Sequence, residues 1–185
     1  VPISPDTKDW TWVLDRPCPE CGFDSSTLPR EQIVALIEAN GRAWPSLLEG
    51  SPPLLRQRAR DDQWSVLEYA CHVRDVFQRY DERLQLMLGQ ENPIFANWDQ
   101  DRSAVDDRYN EQDPGVVATQ IVVAADRLGV FFRSVTGKSW ERRGRRSDGA
   151  QFTVDSFGRY MIHDPIHHLH DVGVDISAWL PPPAL

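Results

Sequence analysis

The stretch 65-SVLEYACHVRDVFQRYDERLQLMLG-89 decides the fold. It opens with Ser65-Val66-Leu67-Glu68, a capping box in which the Ser side chain and the Glu side chain each satisfy a free backbone N–H of the first turn. Tyr69, Val73, Val76, Tyr80, Leu84 and Met87 then recur at three- and four-residue steps. That spacing puts them on one stripe of a long amphipathic helix ending before Gly89. A helix with a single apolar stripe needs partners to cover it, so the rest of the chain must supply them.

Three further segments do so. A helix beginning at Pro29 carries Ile33, Leu36, Ile37 and Trp44 and ends near Leu48; Asn40 and Gly41 interrupt its stripe, and Pro45 should bend or shorten it. Asp113 and Pro114 start another as N-cap and first helical residue, running through Val117, Ile121, Val122, Ala125, Leu128 and Phe131 to about Val135. The last starts near Thr153 and ends near Val172. Long helices with little strand signal predict an all-α protein, a four-helix bundle. Residues 1–28 read as an irregular arm that packs on the bundle, 29–175 as the bundle, and 176–185 as a Pro-rich, extended tail. The connection from Gly89 to Gln112 is long for a bundle, and its PIFANWDQD segment is suited to one wall of a pocket.

The formal net charge is −8, from 28 acidic and 20 basic residues. This argues against nucleic acid or an anionic membrane as partner, because both demand basic surface. No apolar run reads as membrane-spanning and nothing at the start reads as an export signal, so the cytoplasm is the expected location. Cys18, Cys21 and Cys71 are too few and too odd in number for a disulfide framework. CPEC resembles half of a zinc knuckle, but a closed site needs about two more ligands and the chain has no second Cys pair. The expectation is therefore two cysteines in a tight turn. Arg142, Arg143, Arg145 and Arg146 crowd a loop that could receive an anionic group of a cosubstrate.

The histidines carry the chemistry. Four lie in RYMIHDPIHHLHDVG, namely His163, His167, His168 and His170, and the fifth, His72, leans inward from the helix that opens at Ser65. His163 and His167 are four residues apart and share a face, with His170 continuing it, while His168 points away. His163, His167 and His72 are thus the expected ligands of one metal ion, and three protein ligands leave a position open for chemistry.

Trp64, Ser65, Glu68, His72 and Asp75, spaced W-S-x-x-E-x-x-x-H-x-x-D, followed by H-x-x-x-H in the last helix, resemble the DinB/YfiT-like superfamily. The resemblance covers roughly residues 29–175. It implies a bundle of up-down-down-up type and one divalent ion (zinc, nickel or iron) on His72, His163 and His167. It also implies an enzyme that transfers a low-molecular-weight thiol such as mycothiol to an electrophile, and it allows a homodimer. The maleylpyruvate isomerase subgroup differs in having Glu at the first position of the last-helix pair, where this reading places His163. On this reading His170 or Asp75 accepts the proton, and Arg143, Arg145 and Arg146 hold the cosubstrate. A metal-dependent hydrolase, with bound water as nucleophile, and a non-catalytic metal-containing stress or ligand-binding protein are the alternatives.

Overall fold

Ser65 Oγ accepts from the Glu68 backbone N–H at 3.3 Å, and Glu68 Oε2 accepts from the Ser65 N–H at 2.8 Å, so the capping box is made in full. Arg58 clamps the same carboxylate with two further hydrogen bonds. The computed structural model describes residues 9–179. Six α-helices are present among them: α1 (Arg30–Leu47), α2 (Pro52–Leu55), α3 (Val66–Gly89), α4 (Gln100–Asp106), α5 (Pro114–Ser134) and α6 (Val154–Asp171). The bundle is formed by α1, α3, α5 and α6. Pro29 is the N-cap of α1 and not its first residue, and Pro45 is accommodated in the last turn. Asp113 caps α5 by accepting from the Val116 N–H. Thr153 caps α6 in a box completed by Ser156, a pairing hidden from a search for Glu or Gln at that position.

Side-chain pairs fix the helix directions. Glu38 pairs with Arg133, and Asp126 faces Arg42, so α1 and α5 are antiparallel. Arg74 reaches Gln120, and Asp81 pairs with Arg127, so α3 and α5 are parallel. Asn40 lies against Pro165, and Ile33 under Gly158, making α1 and α6 parallel, while α3 and α6 run oppositely through His72–Asp164 and Tyr80–Phe157. The chain thus runs up, down, down, up.

The two residues that interrupt the α1 stripe are packing devices. A Cβ on Gly41 would lie 2.4 Å from that of Ala125, so its absence lets α1 and α5 approach. Asn40 is fully buried; it donates to the Pro165 carbonyl at 2.8 Å and accepts from Trp44 Nε1 at 3.0 Å.

Two expectations need correction. The Arg-rich segment is not a loop: Arg143–Arg146 is strand β2, joined antiparallel to β3 (Gln151–Thr153) and parallel to β1 (Ile94–Phe95). Asp148-Gly149 makes the hairpin turn, with Gly149 at φ +103°, and Gly144 sits where any Cβ would meet Met87. Second, α5 is long and apolar enough, by length and composition, to cross a bilayer. Asp126 and Arg127 break that run to the eye, and its Ile121, Ala125, Leu128 and Phe132 are buried in the core shared with α1 and α3. Of the predicted tail, residues 180–185 lie outside the described residues, as do 1–8 of the arm.

Candidate metal centres

Successive residues of a helix are rotated by about 100°, so the string 163-HDPIHH-168 carries two i,i+4 pairs on neighbouring faces. His163 and His167 form one, and Asp164 and His168 the other. The first faces the N-terminal arm. The second faces α3 and its His72. The three expected ligands His72, His163 and His167 therefore do not form one group; the structure divides them between two.

In the first group Cys18 Sγ lies 3.6 Å from His167 Nδ1, and Cys21 Sγ lies 3.8 Å from His163 Nε2. All four side chains are buried. Burial, then the neighbouring His167, pushes His163 down to about 4, and burial also lowers His167, so both imidazoles are neutral at neutral pH. Burial pushes the Cys21 thiol up to about 12. Trp10 packs its ring against both histidines, with centroids 5.6 and 5.5 Å away.

In the second group His72 Nε2 is 3.1 Å and His168 Nε2 is 3.4 Å from Asp164 Oδ1. A divalent ion bonded at about 2.1 Å sets donor–donor edges of roughly 3.0 Å at right angles and 3.4 Å at the tetrahedral angle. The spacing fits. His168 Nδ1 meets Asp171 Oδ2 at 2.8 Å. With the proton on that nitrogen, Nε2 presents its lone pair to the group, the usual carboxylate–histidine orientation of a metal ligand. Burial works against ionising Asp164, but positive charge on the side of His72 and His168, the place a cation would take, outweighs it and holds the carboxyl far below its ordinary range. The His72 ring is held between Trp64 and Trp98, with centroids 5.1 and 5.2 Å away, the latter stacked within 5° of parallel. Trp98 comes from the FANWDQD segment.

A cavity of about 530 Å³ is lined by Asp164 and His168 of the second group and by His163 and His167 of the first, with His72 behind its wall. Its walls include Trp10, Trp64, Tyr69 and Tyr160, with Asp62, Gln63, Gln100 and Asp101 between them.

The profile of the DinB superfamily matches residues 35–172. The chain belongs to the DinB superfamily. Its structure is similar to that of YfiT from Bacillus subtilis, described as a probable metal-dependent hydrolase with an unusual four-helix bundle topology. That likeness has a TM-score of 0.69 at 18% identity and covers 82% of this chain and 89% of YfiT. No curated protein matches the chain. Within this DinB-superfamily bundle, the remaining expected site residues lie apart from the second group. His170 is exposed. Asp75 accepts from the Tyr109 hydroxyl at 2.5 Å and from Arg74 at 2.7 Å, and it faces a different cleft, lined by Gln78 and Arg79. Arg143 and Arg145 are exposed on β2, whereas Arg146 donates to the hydroxyl of Tyr160 at 3.1 Å.

The sequence pattern assigns no role to Asp164 and Asp171, and it reads Cys18 and Cys21 as a tight turn. CPEC has no second Cys pair to meet, and in the fold two histidines stand opposite it instead. Asp164 stands four residues before His168, and counting carboxylates with imidazoles finds it.

Proposed function

We propose that this DinB-superfamily protein is a metal-dependent enzyme whose His72, Asp164 and His168 hold one divalent ion, and that it transfers a neutral low-molecular-weight thiol of the mycothiol kind to an electrophile. The carrying observation is the three-donor group, with Asp171 behind His168, two of whose members, Asp164 and His168, line a 530 Å³ cavity. Two imidazoles and one carboxylate suit zinc with a position left for substrate, or iron(II). Such an ion supplies Lewis acidity, lowering the pKa of a thiol or water brought to it. The acidic member of the last-helix pair, Asp164, also echoes the Glu of the maleylpyruvate isomerase subgroup.

The protein's own groups select and orient the substrate. Trp10, Trp64 and Tyr69 offer faces for the C–H surface of a sugar or cyclitol, and Asp62, Gln63, Gln100 and Asp101 offer hydrogen bonds to its hydroxyls. Carboxylates around the cavity outnumber its one guanidinium, Arg60, and so disfavour an anionic thiol such as glutathione, whereas the pseudo-disaccharide body of mycothiol is neutral. The Tyr160 oxygen accepts from Arg146, which leaves its O–H to donate to a substrate in the cavity that Tyr160 lines. Of the three arginines, Arg146 is thus the one able to influence the cosubstrate. Neither His170 nor Asp75 lines the cavity, and Glu20 at its rim takes over as proton acceptor in this proposal. The unbridged thiols suit a reducing cytoplasm.

The test is turnover of an electrophile panel by zinc-, nickel- and iron-loaded protein with and without mycothiol. An S-conjugate formed only with thiol, and lost in Asp164→Asn, supports transfer. Turnover without thiol, giving a hydrolysed product, supports instead the hydrolase reading that the description of YfiT favours. Metal bound at the group with no turnover leaves the ligand-binding reading.

A further inference from the structure

A second group of four ligating atoms lies beside the proposed catalytic one and has a different character. Cys18, Cys21, His163 and His167 each offer one atom, all mutually within 4.8 Å. They converge from segments 149 and 142 residues apart in sequence. A tetrahedral zinc ion with Zn–S of about 2.3 Å and Zn–N of about 2.0 Å sets S···N edges of about 3.5 Å. The two such contacts measured here are 3.6 and 3.8 Å.

The local backbone is built to present both sulfurs together. The Gly22 N–H donates to the Cys18 carbonyl at 2.8 Å, and the Cys18 N–H donates to the Phe23 carbonyl at 2.9 Å. Closing that turn takes Gly22 to φ +77°, a conformation glycine adopts freely. The imidazoles are oriented from behind as well. His167 turns Nδ1 to Cys18, while Nε2 faces Glu20 at 3.5 Å and Asp171 at 3.6 Å. Trp10 and Trp12 lie over His163, with centroids 5.6 and 6.4 Å away.

We infer that Cys18, Cys21, His163 and His167 form a closed, tetrahedral Cys2His2 zinc site that staples the N-terminal arm to α6. Four protein donors leave no position for substrate, so this site is structural. Binding displaces the thiol protons to solvent, leaving two thiolates and two neutral imidazoles on one divalent ion, with no change of oxidation state. The staple sets Trp10 against the histidines and thereby fixes one wall of the cavity. It also commits His163 and His167, leaving the adjacent Asp164/His168 pair for His72. This inference is independent of the proposed reaction.

Full-length, untagged protein loaded with cobalt(II) tests it. Wild type should show sulfur-to-cobalt charge transfer in the near ultraviolet with intense tetrahedral d–d bands. Cys18→Ser and Cys21→Ser should each weaken the charge transfer and the double variant should lose it; Asp164→Asn should keep it. Wild-type protein containing zinc gives a check that needs no variant to fold. Titrating its thiols with a mercurial, in the presence of a colorimetric zinc chelator, should release one zinc as Cys18 and Cys21 are both modified. No sulfur-to-cobalt band in wild type, or modification of both thiols without zinc release, overturns the inference. Loss of metal at His72, Asp164 and His168 would not.

Discussion

Asn40→Ala should destabilise the protein by about 2–4 kcal/mol, because one buried amide ties α1 to the stretch of α6 that carries the ligands. The wild-type side chain is fully buried and bridges Trp44 Nε1 and the Pro165 carbonyl. Removing it leaves the Trp44 N–H buried without an acceptor, a desolvation penalty of about 1–3 kcal/mol. The lost carboxamide empties on the order of 40 Å³, which at roughly 24 cal/mol per Å³ adds about 1 kcal/mol. The Pro165 carbonyl adds little, since it lies inside α6 and has the helix's own N–H to accept from. At about 2–4 °C per kcal/mol for a chain of this size, Tm should fall by roughly 5–15 °C. Urea and thermal melts with chelator present read this without contribution from bound metal. A double-mutant cycle isolates the cause: in the Asn40→Ala background, Trp44→Phe should cost less than it does alone, because the stranded donor is gone. A loss below about 1 kcal/mol for Asn40→Ala, or strict additivity with Trp44→Phe, would refute the reasoning.

Acid should weaken the metal-free protein. His163 is held down to about 4 by burial, then by His167, against about 6.5 in an unfolded chain, so the stabilisation is full above about pH 6.5 and is lost as pH falls toward 4. The unfolding free energy of chelated protein, read from urea melts, should drop by up to about 1.4 kcal/mol per pH unit across that window from this group, and His163→Gln should flatten the slope. Gly144→Ala should cost about 1–3 kcal/mol, because the added Cβ would lie 2.7 Å from Met87 Cγ and 3.0 Å from Phe95 Cε1; an unchanged melting curve would show that Met87 moves aside freely. His168→Ala should abolish any metal-dependent turnover while leaving the sulfur-bound cobalt spectrum intact, and His167→Ala should do the reverse to the spectrum.

The bundle was legible because its signals are local. The Ser65/Glu68 box, the Asp113-Pro114 start and the α3 stripe each follow from residues a few positions apart. The site was legible in kind but not in partnership. That the histidines cluster on one helix can be read from HDPIHH, but which pair meets His72 depends on the rotation of α6 about its own axis, and packing sets that. Asn40 and Gly41 looked like defects in a stripe, yet one bonds Pro165 and the other admits Ala125, contacts made across the bundle. The Arg-rich strand β2 was obscured because every residue in it but Gly144 is charged, and Gly144 is its only buried member.

The central claim is that two interleaved pairs on α6 serve two different metal sites. Anomalous diffraction at the zinc edge, on crystals of zinc-loaded full-length protein, tests it most directly. The account predicts two peaks, one bonded by Cys18, Cys21, His163 and His167 and the other by His72, Asp164 and His168. A single peak shared by His72, His163 and His167, with Cys18 and Cys21 unbound, would contradict it.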